Sequence, residues 1–250
     1  MSSGVKVVFF DLDDTLYDHS FHIRTAIDVL RNEHSFLQRH TLDQLTELSH
    51  RLLEEVHSQL LRGEISVDDS RRIRWQKFLK EFGQDQAFDP IDFAESYRNA
   101  YYRSERVVPG TFELLENLEH DCLIGIISNN LLDEQLEKMK RLGISDYIDF
   151  FAISEEVGAA KPGRKIFDVA IVRSKYSAQE SVYIGDSWEN DVIGALNAGI
   201  RPIWFNRNGL KSPDPRIAEI SSLEPIANVM LHIRNEIPTP QITRPDPANA

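Results

Sequence analysis

The sequence predicts an α/β fold, a parallel sheet covered on both faces, with an all-helical domain inserted after the first strand. Three observations predict it. The apolar, β-favouring run from Val5 to Phe10 stops abruptly at Asp11-Leu12-Asp13-Asp14-Thr15, as a buried parallel strand with a functional carboxyl end would. The next strand-like run does not begin until Cys122, and the interval between carries helical periodicity. From Pro109-Gly110 onward, helical stretches and apolar runs alternate, the pattern of βαβ units with right-handed crossovers.

The helical interval divides into four elements. The stretch around Phe21 to Leu37 is the first. After Thr41, residues Leu42, Leu45, Leu48, Leu52, Val56 and Leu60 fall at helical spacing, and Thr41 with Gln44 is placed for a capping box. Ser66 to Phe82 reads as a third helix stopped at Gly83. Asp89-Pro90 supplies an N-cap and a first-turn proline for a fourth, ending near Arg103. The series beyond it is expected to run helix Thr111 to Leu118, strand Cys122 to Ile127, helix Leu131 to Leu142 and short strand Phe150 to Ile153. A helix from Arg164 to Arg173, a strand at Val182 to Ile184, a helix from Glu189 to Asn197 and a strand at Pro202 to Phe205 follow. The expected domains are a core of residues 1–16 and 108–236, a helical cap of 17–107, and a disordered Pro-rich tail of 237–250 with little to bury.

Composition narrows the function. A chain of 250 residues with 41% hydrophobic content suits a core domain with an insertion. Its formal net charge of -12 argues against a nucleic-acid polymer as partner, because such binding rests on clustered Lys and Arg. No apolar run approaches the roughly 20 residues that cross a bilayer, and no secretory leader is evident at the N-terminus. No membrane association is expected, and the cytoplasm is the expected location. Cys122 is the single cysteine, so an internal disulfide is excluded and an inert packed thiol is expected. Oligomeric state, monomer or homodimer, is left open.

Parallel strands joined by right-handed crossovers bring their carboxyl ends to one rim, where open α/β sheets bind ligands. Asp11 and Asp13, Ser128-Asn129, and Gly185-Asp186 with Asp191 all lie at such ends. Each group also has a plainer explanation. A strand-end aspartate pair makes turns and caps, as does Thr15. Ser128 can cap the helix after it, and Asp191 suits a helix N-terminus. Lys161-Pro162 places a cation near a helix start, a poor position unless it faces an anion. Asp186 is harder to explain structurally. A small phosphorylated ligand would need a cation amid Asp11, Asp13, Asp14, Asp18, Asp186 and Asp191, and a divalent metal meets that need.

Taken together, Asp11-Leu12-Asp13-Asp14-Thr15, Ser128-Asn129, Lys161-Pro162 and Gly185-Asp186 with Asp191 resemble, in order, the four motifs of the haloacid dehalogenase superfamily. The cap's position resembles the branch with a helical insertion after the first strand. The resemblance implies a Rossmann-like parallel sheet core and a phosphatase acting on a small phosphorylated metabolite. It implies Asp11 as nucleophile forming an aspartyl-phosphate and Asp13 as general acid and base. Mg2+ would be held by Asp11, Asp186 and the backbone carbonyl of Asp13, with Asp191 acting mainly through water. Ser128, the N–H of Asn129 and Lys161 would bind the phosphoryl oxygens, and Thr15 would support the nucleophile loop. The pattern looks like the nucleoside 5'-monophosphate and acylneuraminate-9-phosphate phosphatases of this branch, and a nucleotide is the favoured substrate. The alternatives are a sugar-phosphate phosphatase, a phosphomutase, a 2-haloacid dehalogenase and a non-catalytic phosphate-binding module. Asp18, His19, Phe21, Arg71, Arg72, Arg74 and Trp75 are the cap residues that could set specificity, although Arg71, Arg72 and Arg74 also suit a solvated helix face and Trp75 a packed core.

Overall fold

Among the described residues, six parallel strands form one sheet in the order β3-β2-β1-β4-β5-β6. They are β1 (Val7–Phe10), β2 (Leu123–Ser128), β3 (Phe150–Ile153), β4 (Ser181–Gly185), β5 (Arg201–Phe205) and β6 (Ala218–Ile220). The computed structural model describes residues 4–234, and the expected Pro-rich tail lies outside them. All four β1 residues are buried, as the uninterrupted apolar run requires of a strand covered on both faces. Phe10 pairs in register with Ile126 of β2 and Ile184 of β4. The chain therefore leaves β1, β2 and β4 at one rim, with β1 between two neighbours reached in opposite directions. That is the topological switch point of a doubly wound sheet, where a crevice opens.

The chain divides into two compact units, one holding the N-terminal stretch to Leu16 and the chain from Val108 onward, the other Tyr17–Val107. The second unit consists of α1 (His19–Glu33), α2 (Leu42–Leu61), α3 (Val67–Glu81) and α4 (Pro90–Arg103). The caps are those the sequence specifies: Thr41 and Gln44 close a capping box on α2, Ser66 caps α3, and Asp89 caps α4 with Pro90 in its first turn. The apolar stripes meet in a core containing Ile23, Ile27, Leu30, Leu45, Leu52, Trp75, Phe78, Leu79 and Phe93. α1 ends at Glu33, short of the expected Leu37, because His34 turns extended and its ring lies against Phe36, Phe88 and Phe93. Leu37–Arg39 is then a separate 3-10 turn.

In the first unit, α5 (Thr111–Leu118), α6 (Leu132–Leu142), α7 (Ser154–Val157), α8 (Arg164–Ser174) and α9 (Gly194–Ala198) alternate with the strands. Val7, Phe9, Ile127, Ala152, Ile166, Phe167, Tyr183 and Ala195 form one cluster between sheet and helices. Gly125 is required where β2 crosses Phe9 and Phe150, since a Cβ there would lie 2.6 Å from the Phe150 ring. The single helix expected from Glu189 to Asn197 is instead a π-helix, Trp188–Ile193, running into α9. No element is expected beyond Phe205, yet the chain adds β6 and α10 (Ile226–Arg234), which buries Val229, Met230 and Ile233. Among the described residues no helix is long and apolar enough to cross a membrane.

Trp75 is 2% exposed and its ring contacts those of Phe78, Phe93 and Tyr97. Trp75→Ala is expected to cost about 3–5 kcal/mol in chemical denaturation of the whole chain. A loss below about 1 kcal/mol would show that the helical core tolerates the cavity.

Candidate active site

β1 delivers Asp11 to the rim and the chain turns at once. Leu16 N–H donates to Leu12 O at 3.0 Å, and Asp14 takes φ 60, a left-handed conformation that aspartate tolerates better than most residues. The turn separates two carboxylates that an extended strand would have placed on one face. Asp11 is 7% exposed, and its Oδ1 accepts from Lys161 Nζ at 2.6 Å. The Asp13 carboxylate is held elsewhere, by Gln135 Nε2 on Oδ2 at 2.9 Å and Lys138 Nζ on Oδ1 at 2.5 Å.

Lys161 reaches the same point from the loop before α8. The Asn129 side chain fixes that loop: its Oδ1 accepts from Lys161 N–H at 2.7 Å and its Nδ2 donates to Lys161 O at 2.9 Å. The ammonium then donates to Asp11, to Asp191 Oδ1 at 2.7 Å and to the Tyr183 hydroxyl at 3.0 Å. The cation facing inward from a helix start thus meets two anions. Burial alone would lower its pKa, but Asp11 and Asp191 outweigh burial and raise it above the ordinary lysine value.

Asp191 is fully buried in the π-helix, where Tyr183 OH donates to its Oδ1 at 2.8 Å and Ser187 N–H to its Oδ2 at 2.9 Å. Gly185 makes that approach sterically feasible, because a Cβ there would lie 2.5 Å from the Asp191 carboxyl. Asp186 follows directly, its carbonyl held by Trp204 Nε1–H at 2.8 Å. One carboxylate oxygen from each of Asp11, Asp186 and Asp191 lies within 4.8 Å of the others.

Burial pushes the Asp186 carboxyl up to about 9, helped by the charges of Asp11, Asp191 and Asp14. Burial likewise pushes Asp11 up to about 7, with Asp191 and Asp13 adding to it against the pull of Lys161. Lys161 bonds two of the three carboxylates, and among the described residues Asp186 forms no ion pair. Buried like charges of this kind are strongly unfavourable unless a further cation joins them. Three oxygen-donor carboxylates suit a hard divalent ion, so the residues present fit a metal.

Ser128, 1% exposed, accepts from Gln135 Nε2 at 2.6 Å. Thr15 is the outlier among the core candidates: it is fully buried, its N–H closes the turn onto Leu12 O at 3.4 Å, and its hydroxyl has no hydrogen-bond partner. Three residues of the site escaped the sequence analysis, namely Gln135, Lys138 and Tyr183. Their signal was faint. Gln135 and Lys138 are polar residues on the buried face of α6 beside Met139, a mismatch between polarity and periodicity.

The cap candidates are largely engaged within their own unit. Asp18 is 1% exposed and accepts from Arg106 Nη2 at 2.6 Å, while the Arg106 guanidinium lies over the Phe21 ring. His19 Nδ1 meets Tyr101 OH at 2.6 Å. Arg71 and Arg72 pair with Asp68 and Asp69 on an exposed face, as a solvated stretch would. Arg74 does not belong to that face. It is buried, donates to Ser49 Oγ at 2.7 Å and stacks between Trp75 and Tyr97, because its helical position faces the aromatic core.

A family profile described as haloacid dehalogenase-like hydrolase matches residues 8–205. The chain belongs to this family. It is 32% identical over 205 residues to a glyceraldehyde 3-phosphate phosphatase of Methanothermobacter thermautotrophicus, covering 81% of this chain and 86% of the relative. It is 35% identical over 127 residues to the pyrimidine 5'-nucleotidase YjjG of Escherichia coli, covering 50% of this chain and 56% of that one. The fold superposes with a TM-score of 0.69 on the HAD-hydrolase YfnB of Bacillus subtilis, which was crystallised bound to magnesium, at 24% identity over 93% of this chain and 99% of that chain.

A raised folded-state carboxyl pKa means stability that is complete below the ordinary carboxylate range and is lost as pH rises through the folded values, here about 7 and about 9. A divalent cation, which needs ionised ligands, reverses that loss. Mg2+ is therefore expected to raise the melting temperature more above about pH 8 than at about pH 6, and Asp186→Asn to stabilise the metal-free protein at alkaline pH while removing most of the increment. Equal increments at both pH values would contradict this. Gly185→Ala is expected to weaken Mg2+ binding about 10- to 100-fold in calorimetric titration, by displacing Asp191; unchanged affinity would show that Asp191 does not shape the site.

Proposed function

We propose that this hydrolase is a Mg2+-dependent phosphoric monoester hydrolase that works through an aspartyl-phosphate on Asp11 and takes a small phosphorylated metabolite. The observation that carries the proposal is the cluster of Asp11, Asp186 and Asp191 within 4.8 Å, with Lys161 bonded to Asp11 and Asp191 and Asp13 held apart at the same strand end by its own donors. A carboxylate that displaces halide from carbon has no use for a metal cluster or for an acid beside it. Phosphoryl transfer uses both.

In the first half-reaction a carboxylate oxygen of Asp11 bonds to phosphorus, the phosphorus–oxygen ester bond breaks, and Asp13 gives its proton to the departing alkoxide. In the second, water bonds to phosphorus, the bond to Asp11 breaks, and Asp13 takes the proton of the attacking water. Asp11, Asp186 and the backbone carbonyl of Asp13 would hold Mg2+, with Asp191 close behind, and the bound ion would supply positive charge for the phosphoryl oxygens. Ser128 Oγ–H and Asn129 N–H serve as phosphoryl donors. Lys161, whose three bonds go to Asp11, Asp191 and Tyr183, acts mainly by its charge at the nucleophile and must exchange one bond to reach phosphate. Thr15 supports the turn that carries Asp11.

A phosphorylated sugar is favoured over a nucleotide. The 205-residue alignment to the glyceraldehyde 3-phosphate phosphatase is longer than the core unit and must include cap residues, whereas the 127-residue alignment to the nucleotidase need not. A free, half-buried thiol at Cys122 and a metabolite substrate fit action in the cytoplasm.

Phosphate release from sugar phosphates, nucleoside monophosphates and 4-nitrophenyl phosphate, with Mg2+ or chelator, tests the proposal. Metal-dependent release, highest for a sugar phosphate and abolished in Asp11→Asn, is expected. Isomerisation of a sugar phosphate without release would make the enzyme a mutase, and inertness despite Mg2+ binding would leave a phosphate-binding module.

A further inference from the structure

We propose that Gln135 is a positioning residue that joins Asp13 to Ser128, and that Lys138, three residues along the same helix, fixes the second oxygen of Asp13. This rests on Asp13 acting as acid and base. One planar amide spends both protons here, one on Asp13 Oδ2 at 2.9 Å and the other on Ser128 Oγ at 2.6 Å. The amide cannot be turned over, because its oxygen would then face the Asp13 carboxylate. Ser128 uses a lone pair on Gln135, and its own O–H remains to donate toward a phosphoryl oxygen.

The arrangement is unfavourable by packing standards. Gln135 is fully buried, Lys138 is 8% exposed, and Gln135 Oε1 has no hydrogen-bond partner. A buried polar group left unsatisfied destabilises the fold, and methionine would fill the same space without that cost. The amide is explained by what its nitrogen holds. With Lys138 Nζ 2.5 Å from Oδ1, both oxygens of Asp13 have a fixed donor, so the carboxylate cannot rotate away from the leaving group or the water. Positional precision of this kind is what general acid–base catalysis demands.

Gln135→Met and Lys138→Met, with Lys138→Arg as the conservative variant, are compared with the native chain on glycerol 3-phosphate and 4-nitrophenyl phosphate in the presence of Mg2+. The alkyl ester needs a proton delivered to its leaving oxygen, and the aryl ester does not. The Met variants are expected to retain KM, Gln135→Met to melt no lower than the native chain, and both to lose about 100-fold in kcat on the alkyl ester. On the aryl ester they should release a burst of about one nitrophenolate per enzyme followed by slow turnover, because the first step proceeds while the water-activating step is impaired. Lys138→Arg should recover most of the alkyl rate. Equal losses on both esters without a burst, or unchanged kcat on both, would overturn the positioning role. Asp11→Asn added to Gln135→Met separates this from failure of the parent mechanism: a burst that persists in the double variant overturns Asp11 as the nucleophile, whereas the absence of a burst in Gln135→Met itself overturns the positioning role alone.

Discussion

The site depends on one electrostatic arrangement, a lysine ammonium bonded to two buried aspartates next to a third. Lys161 Nζ lies 2.6 Å from Asp11 and 2.7 Å from Asp191, and Asp186 adds a further carboxylate within 4.8 Å. One positive charge among three negative ones leaves a deficit that low-dielectric surroundings magnify. Burial, with the charges of the neighbouring aspartates added to it, raises the carboxyl pKa values of Asp11 and Asp186. Three carboxylate oxygens gathered in this way suit a hard divalent cation once the pH allows them to ionise.

Everything around the lysine keeps the charges at their separations. Asn129 grips the backbone of the Lys161 loop through both atoms of its amide. Tyr183 accepts from the ammonium and donates to Asp191, and burial beside Asp191 and Asp11 pushes its phenol well above the ordinary value, so it stays a donor. Gly185 removes the one Cβ that would keep Asp191 away. Trp204, packed on Trp188, ties down the Asp186 carbonyl. These supports come from the loop after β2, from β4, from β5 and from the π-helix, and distances of this kind survive thermal motion only where neighbouring side chains are packed against one another.

The cap unit follows a different economy. Its conspicuous charged and aromatic residues serve its own integrity: Asp18 neutralises Arg106, Arg74 bridges Ser49 and two rings, and Trp75 fills the middle of the bundle. Buried ion pairs and stacked guanidinium groups make such residues costly to remove irrespective of substrate. Conspicuousness in a sequence is therefore a weak guide to specificity in a helical insertion.

Local patterns were enough for β1 to β5, for most helices, and to single out the motif residues as candidates. The apolar run of β1 has one environment open to it, caps such as Thr41 with Gln44 act over three residues, and carboxylates that end a buried strand require a cation. Elements whose stability comes from neighbours stayed out of view: β6 is three residues paired on β5, α10 is a short helix, and the π-helix at Trp188 has no periodicity of its own in the chain. The same held for Gln135, Lys138 and Tyr183, which are separated along the chain from the Asp13 or Asp191 that they meet. The sequence by itself determined which residues could carry the chemistry, because residue type and strand position are local properties. Only the tertiary structure decided which of them meet, because hydrogen-bond partners and burial depend on how distant strands are brought into register.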